Sequence, residues 1–279
     1  MEESTVVPRD TKAGSGRAAV PTGSTEPGGR ASRGAFAAAL TDVGRSLADF
    51  LLASLCHGCG EPLSDFLSGG VCAACWRQLP RPPESRCRRC DEPLPSAAMP
   101  ECGRCLIDPP AFDSLRAAAP YARCARRVLL ALKFRGAEEL VPHLAARLIS
   151  RLSPAPEADA VVGVPSWKRL RFVGAPHAAE LLASAVARGL GLPLENGLLR
   201  KTRRTRRQGG LPLARRIENV RGAYRAARPP PARILLVDDV ATSGATARAC
   251  AAALKKAGAR EVHVWCFARA GREDVSRKP

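Results

Sequence analysis

A chain of 279 residues with 46% apolar side chains can bury the core of one ordinary α/β domain and carry a smaller module, which excludes a disordered or fibrous protein. Lys and Arg outnumber Asp and Glu by 44 to 26, a formal charge of +18, so the overall field favours anionic partners such as phosphates, nucleic acid or lipid headgroups. Arginines spread through nearly every segment, and aromatic content of only 4% argues against an extensive base-stacking platform.

Residues 1–32 are Gly, Ser, Thr, Pro and charge with no apolar stretch ahead of a cleavage site, and read as a disordered tail without a secretory signal. Residues 33–55 hold an apolar pattern broken by Asp42, Arg45 and Asp49, which predicts an amphipathic helix and not a membrane span. The expected location is the cytoplasm. Thiols stay reduced there, so eleven cysteines need a reason other than disulfides.

Residues 56–112 supply that reason. Cys56, Cys59, Cys72, Cys75, Cys87, Cys90, Cys102 and Cys105 form four C-x-x-C pairs separated by 12, 11 and 11 residues. Each pair lets two sulfurs reach one Zn²⁺ at ~2.3 Å, and eight thiolates make two tetrahedral sites. Four protein ligands leave no open position, so both zincs are expected to be structural, replacing the apolar core that a segment this short lacks. Pairing the first knuckle with the second and the third with the fourth is the simplest arrangement; a cross-braced pairing fits the spacing equally. His57 reads as a bystander, and Cys124, Cys250 and Cys266 as small core residues.

Residues 113–270 alternate helical and strand patterns, with 271–279 as a tail. YARCARRVLLALKF, EELVPHLAARLISRL and PHAAELLASAVARGLG predict helices, the last ended by Gly189 or Gly191, and AVVGVP predicts a short buried strand. Strand ILLV, helix ATARACAAALKKAGA stopped by Gly258, and strand EVHVWCF close the domain, with SPAPEAD and ARPPPAR as loops feeding two strands. The fold class is α/β, with a mostly parallel sheet covered by helices on both faces.

The most informative stretch is ILLVDDVATSGAT, 234–246. A parallel strand that ends in two acids and turns through small residues into a helix delivers its groups at the carboxyl edge of the sheet, where open α/β sheets bind ligands. Backbone N–H groups and hydroxyls of the turn, with the helix N-terminus, can cradle a phosphate dianion. The carboxylates would repel that phosphate unless they bind something else. Vicinal ribose hydroxyls, or a hydrated Mg²⁺ attached to them, are suitable partners about one sugar length away.

At these thirteen positions the sequence resembles the type I phosphoribosyltransferases and their signature for phosphoribosyl pyrophosphate (PRPP). The resemblance implies that Asp238 and Asp239 contact the ribose 2′ and 3′ hydroxyls and that Ala241, Thr242, Ser243, Gly244, Ala245 and Thr246 hold the 5′-phosphate. The knuckles, CLIDPPAFD (105–113), Tyr121, VLLALKFRG (128–136), Val164 and Pro165, RRTRRQGGL (203–211), RRIENVRGAY (215–224) and the PRPP loop, in this order, also resemble the ComF competence family from about residue 50 to 270. That family joins a zinc-ribbon region to a phosphoribosyltransferase-like domain and is linked to natural transformation. The resemblance therefore implies a type I phosphoribosyltransferase sheet behind a double zinc ribbon.

It further implies that VPSWKRLR (164–171) holds the pyrophosphate of PRPP, with Lys168 and Arg169 joining the two acids as catalytic residues and Arg171 as a binding residue. Cations there stabilise the charge that grows as pyrophosphate leaves and C1′ becomes oxocarbenium-like. After this loop FVGAPHAAE stands where the family reads close to R-G-F-N-Q; His177 is either a substitute polar contact or a solvated histidine at a helix start, and Gly174 is the other remnant. RKTRRTRRQ (200–208) reads as a mobile basic loop. By resemblance it folds over PRPP through Arg203, Thr205 and Gln208; by charge alone, Arg200 to Arg207 form a footprint for single-stranded DNA or a solvated loop. Lys133 and Phe134 match the family's K-F-x-G and either line the cleft or simply end a helix.

Three functions follow. The first is Mg²⁺-dependent PRPP binding and phosphoribosyl transfer to a nucleobase or amine with release of pyrophosphate, the zinc module and residues near 113–135 forming the acceptor hood. The second is a non-catalytic module binding single-stranded DNA and competence or DNA-processing proteins. The third is a PRPP sensor.

Overall fold

The computed structural model describes residues 55–63, 69–167, 178–206 and 213–271, all within one compact unit, 53–279. The sequence expectations for residues 1–54 and 272–279, covering the tail, most of the amphipathic helix and the C-terminal tail, lie outside the described residues.

Four parallel strands make the central sheet: β1 (Ser114–Pro120), β2 (Ala160–Gly163), β5 (Arg233–Ala241) and β6 (Glu261–Arg269), in the order β1-β6-β5-β2. The two inner strands are covered on both faces, which is why ILLV and VHVWCFA carry near-continuous apolar runs and not an alternating pattern. Register places Leu235 beside both Val161 and His263, and Val237 beside Gly163 and Trp265.

One face of the sheet is closed by α3 (Arg123–Phe134), α4 (Leu140–Leu152) and α5 (Ala178–Leu190), whose Val128, Leu132, Leu144, Leu148 and Leu182 pack with Val161, Leu235, Val237 and Phe267. The other face is closed by α7 (Ala245–Lys256), whose Cys250 and Leu254 pack with Val162, Ile234, Leu236, Val262 and Val264. Beside α7 stands a small antiparallel pair, β3 (Leu199–Lys201) with β4 (Tyr224–Ala226), linked through α6 (Leu213–Val220).

The cysteine module divides between the two faces. Its first half, with α1 (Ala73–Arg77), buries Val71, Trp76 and Leu79 in the core of the α3–α4 face, and the Arg147 guanidinium lies 3.7 Å from the Trp76 ring centroid. Its second half, with α2 (Gly103–Ile107), shares the opposite core with Phe112, Leu115 and Ala117. Asp91, only 3% exposed, fixes that half to the edge strand by accepting from Ala117 N at 2.9 Å and from Arg86 Nη1 at 2.9 Å.

The parallel sheet class and the helices agree with the sequence expectation; the edge strand Ser114–Pro120 is not among the expected elements, and two segments need correction. The segment from Arg200 does not begin as a loop: Leu199 is buried, and Leu199, Arg200 and Lys201 pair with Ala226, Arg225 and Tyr224. The strand expected over ILLV runs on through both acids to Ala241, because β6 keeps pairing with it as far as Ala241↔Arg269.

Candidate functional site

Side chains of a strand alternate between faces, so adjacent acids must part company. Asp238 follows Ile234 and Leu236 toward the α7 face, and Asp239 follows Leu235 and Val237 toward the α3 face. Both are buried, at 9% and 5% exposure, and both are held locally: Asp238 Oδ1 accepts from Asp239 N and Asp239 Oδ1 from Val240 N, each at 2.9 Å. Two buried carboxylates demand cations, and each face supplies one. Lys133, in the last turn of α3, forms an ion pair with Asp239 Oδ2. Lys201, on β3, lies with its ammonium 5.4 Å from the Tyr224 ring centroid and exerts its charge on Asp238. Burial pushes the Asp238 carboxyl up to about 6, against the pull of Lys133 and Lys201. Burial likewise pushes both ammonium groups below the usual lysine range, while Asp238 holds them up.

After Ala241 the chain turns into α7. Gly244 caps the helix at φ 75° and ψ 4°, a left-handed conformation that a side chain resists, and Ala245 N donates to Ser243 Oγ at 3.3 Å. Thr246 shares a hydrogen bond with the Tyr224 phenol, which burial pushes well above the ordinary tyrosine range.

These groups face a cleft of about 1020 Å³ at the carboxyl edge of the sheet. Asp238, Asp239, Thr242 and Thr246 line it from the β5–α7 turn, Lys133 and Tyr121 from the α3 side, Val164, Ser166 and Trp167 from the segment after β2, and Lys201, Arg204, Thr205 and Arg206 from the segment running on from β3. Lys168, Arg169, Arg171, Gly174, His177, Arg207 and Gln208 lie outside the described residues. Two expected residues point elsewhere: Arg203 donates from Nη2 to Arg221 O at 2.7 Å, and Phe134, 67% exposed, does not line the cleft. Sequence reasoning did not single out Lys201, Ser166 and Trp167 as cleft groups, though Lys201 lies within RKTRRTRRQ and Ser166 and Trp167 within VPSWKRLR, so their signals were present.

The thiols gather as Cys56, Cys59, Cys72 and Cys75 in one cluster and Cys87, Cys90, Cys102 and Cys105 in another, the sulfurs of each lying within 4.8 Å of one another. The sequential pairing therefore holds over the cross-braced one. Cys59 and Cys72 sulfurs stand 3.9 Å apart and those of Cys90 and Cys102 3.6 Å apart. A tetrahedron with ~2.3 Å Zn–S bonds has edges of ~3.8 Å, so the donor sets fit zinc. Burial opposes ionisation of Cys56, but N–H groups of Cys72, Cys59 and Gly58 outweigh it and bring that thiol down to about 6. His57 stays outside the cluster, its Nε2 lying 3.1 Å from Glu139 Oε1.

A parallel sheet carrying an acid pair at its carboxyl edge, behind two Cys₄ clusters, defines a phosphoribosyltransferase fold joined to a zinc-binding module. A phosphoribosyl transferase domain model matches residues 138–278 and a double zinc ribbon domain model matches residues 47–106. The DNA utilization protein YhgH of Escherichia coli (strain K12) is 31% identical over 196 residues, covering 68% of this chain and 86% of that protein. Competence protein F of Haemophilus influenzae is 28% identical over 194 residues, covering 66% and 84%. Among solved structures, a glutamine PRPP amidotransferase from B. subtilis, complexed with ADP and GMP, is 32% identical over 47% of this chain and 26% of its own, with a TM-score of 0.34. The chain belongs to the ComF/YhgH family of phosphoribosyl transferase domain proteins with a double zinc ribbon.

Proposed function

We propose that this protein binds PRPP with Mg²⁺ and transfers its phosphoribosyl group to a nucleobase or amine, releasing pyrophosphate, within the DNA utilisation or competence processes for which its relatives are named. The observation that carries the reading is the acid pair at the end of β5, open to the cleft and followed at once by the left-handed Gly244 turn at the start of α7. In this reading Asp238 and Asp239 accept hydrogen bonds from the ribose diol. Backbone N–H groups from Ala241 to Thr246 hold the 5′-phosphate, with side chains small enough to let it approach. Lys201, Arg204 and Arg206 add positive charge along the cleft wall, and Lys168, Arg169 and Arg171 complete the pyrophosphate loop. Mg²⁺ arriving with PRPP neutralises charge on the departing pyrophosphate. The two Cys₄ clusters hold zinc as structure, since neither keeps an open position for chemistry. The eleven cysteines form no disulfide, and no helix among the described residues is long and apolar enough to cross a membrane; the location proposed is the cytoplasm. Incubating the zinc-loaded protein with PRPP, Mg²⁺ and a panel of nucleobases and amines, and measuring pyrophosphate, tests this; release with one acceptor, lost in Asp238→Asn, is expected, and silence across the panel counts against transfer.

A second reading draws on the exposed Arg200, Arg203, Arg204, Arg206 and Arg225 around β3 and β4. These guanidinium groups suit the phosphates of single-stranded DNA, each neutralised phosphate adding ~0.7 to the salt slope. Steeply salt-dependent binding of single strands that survives Asp238→Asn with Asp239→Asn would favour a DNA-handling module.

A further inference from the structure

The matched phosphoribosyl transferase span begins at residue 138, yet one of its two acids is partnered from outside it. Lys133 lies on α3, between the zinc-ribbon match and the transferase match. Its ammonium is turned onto Asp239 Oδ2, on the face of β5 that the alternation of the strand assigns to α3.

The placement is built from both ends of the helix. Near the N-terminus of α3, Arg127 Nη1 donates to Gly58 O at 2.9 Å, in the loop between two ligands of the first thiolate cluster. The Cys124 thiol closes on the same glycine: a Cβ added to Gly58 would meet Cys75 Sγ at 2.7 Å and Cys124 Sγ at 2.9 Å. Along the middle, Val128, Leu129 and Leu132 are fully buried and fix the rotation of the helix. Lys133 follows directly and lines the cleft at the carboxyl edge.

A cation in the last turn of a helix is favoured by the helix dipole, and that alone would account for a lysine here. It does not account for the ammonium of a partly exposed side chain turning onto a carboxylate that is only 5% exposed. A buried carboxylate costs free energy unless a charge and hydrogen bonds compensate it, so the pair must be held by what surrounds it. The charged and titratable groups around the pair are Asp238 on β5, Lys201 on β3, Tyr121 after β1 and, near Asp238, Cys250 on α7. Lys133 and Lys201 both act on Asp238, and of the two it is Lys133 that forms the ion pair with Asp239 among the described residues.

We propose that Lys133 is a positioning residue for sugar binding, clamping Asp239 from a helix that the zinc module anchors, so that the segment ahead of the transferase domain completes the acid pair. The clamp leaves Asp239 oriented by Val240 N on one oxygen and Lys133 on the other. It rests on the ribose reading of the site given above.

Two measurements on the zinc-loaded full chain separate the clamp from that reading. The first needs no ligand: a stability cycle of Lys133→Met, Asp239→Asn and the double variant. Lys133→Met is expected to destabilise the wild-type protein and to cost nothing in the Asp239→Asn background, whereas simple addition of the two effects overturns the clamp. The second is calorimetric affinity for PRPP with Mg²⁺. Lys133→Met is expected to weaken it about tenfold or more, and Lys133→Arg to restore most of that loss, a rescue that a general packing role would not give. Binding as tight as or tighter than wild type in Lys133→Met would make the lysine a plug, not a support, and would end the proposal. If the wild type itself binds no PRPP, the ribose reading falls, and the stability cycle alone decides whether Lys133 holds Asp239.

Discussion

Replacing Asp238 by Asn should make the protein more stable while removing the activity proposed for it. Burial raises the Asp238 carboxyl from 3.8 to about 6, with Lys133 and Lys201 restraining the rise. A raised acid binds its proton more tightly folded than unfolded, so its cost is absent below pH ~4, grows as pH climbs to 6, and is complete above that. Two pKa units and a little more correspond to about 3 kcal/mol at pH 7.5. Asparagine keeps the oxygen that accepts from Asp239 N at 2.9 Å and removes the charge. Denaturant melts of both zinc-loaded proteins should therefore show a gain approaching ~3 kcal/mol at pH 7.5 and roughly half of it at pH 5, where most of the wild-type acid is already protonated. An Asn variant that is less stable, or a gain that does not change with pH, would refute the reasoning. Such a stabilised and inactive variant is the usual signature of an acid kept buried for function.

The same acid sets a pH limit on the ligand. If the diol needs the Asp238 carboxylate, PRPP affinity should fall about tenfold from pH 7 to pH 5, and a flat profile would remove Asp238 from the contact. Gly244→Ala has room for its methyl group, with nothing within 4 Å, so its effect comes from φ +75 alone: a loss of about 1 kcal/mol in stability, read by melts, and weaker PRPP binding from a distorted phosphate turn. Metal analysis should find two zinc ions per chain and one in Cys102→Ser, which removes a ligand of the second cluster; full occupancy in that variant would contradict the Cys₄ assignment.

What the sequence made legible was local. Four C-x-x-C knuckles declare their chemistry within three residues each, and strand, acids, small turn and helix follow one another without a break between 234 and 256. What it concealed depends on distant pairing. SLRAAAP has no strand pattern of its own, with Arg116 amid alanines, and becomes β1 because β6 offers it a parallel edge, Ser114 lying beside His263. The β3–β4 pair is three residues on each side, and the arginine density between its strands masks the buried Leu199 and Tyr224 that hold it. Cys124 reads as a small core residue and is one, at 8% exposure, but it also crowds the first thiolate cluster. Lys133 ends an apolar helix, and nothing in its neighbours tells that the helix points at Asp239, a contact set by the sheet order.

Calorimetry of PRPP with Mg²⁺ against the zinc-loaded protein, beside the double variant Asp238→Asn with Asp239→Asn, tests the central claim most directly. The account predicts micromolar binding that the double variant loses; no binding to the wild type, or equal binding to both, would contradict it.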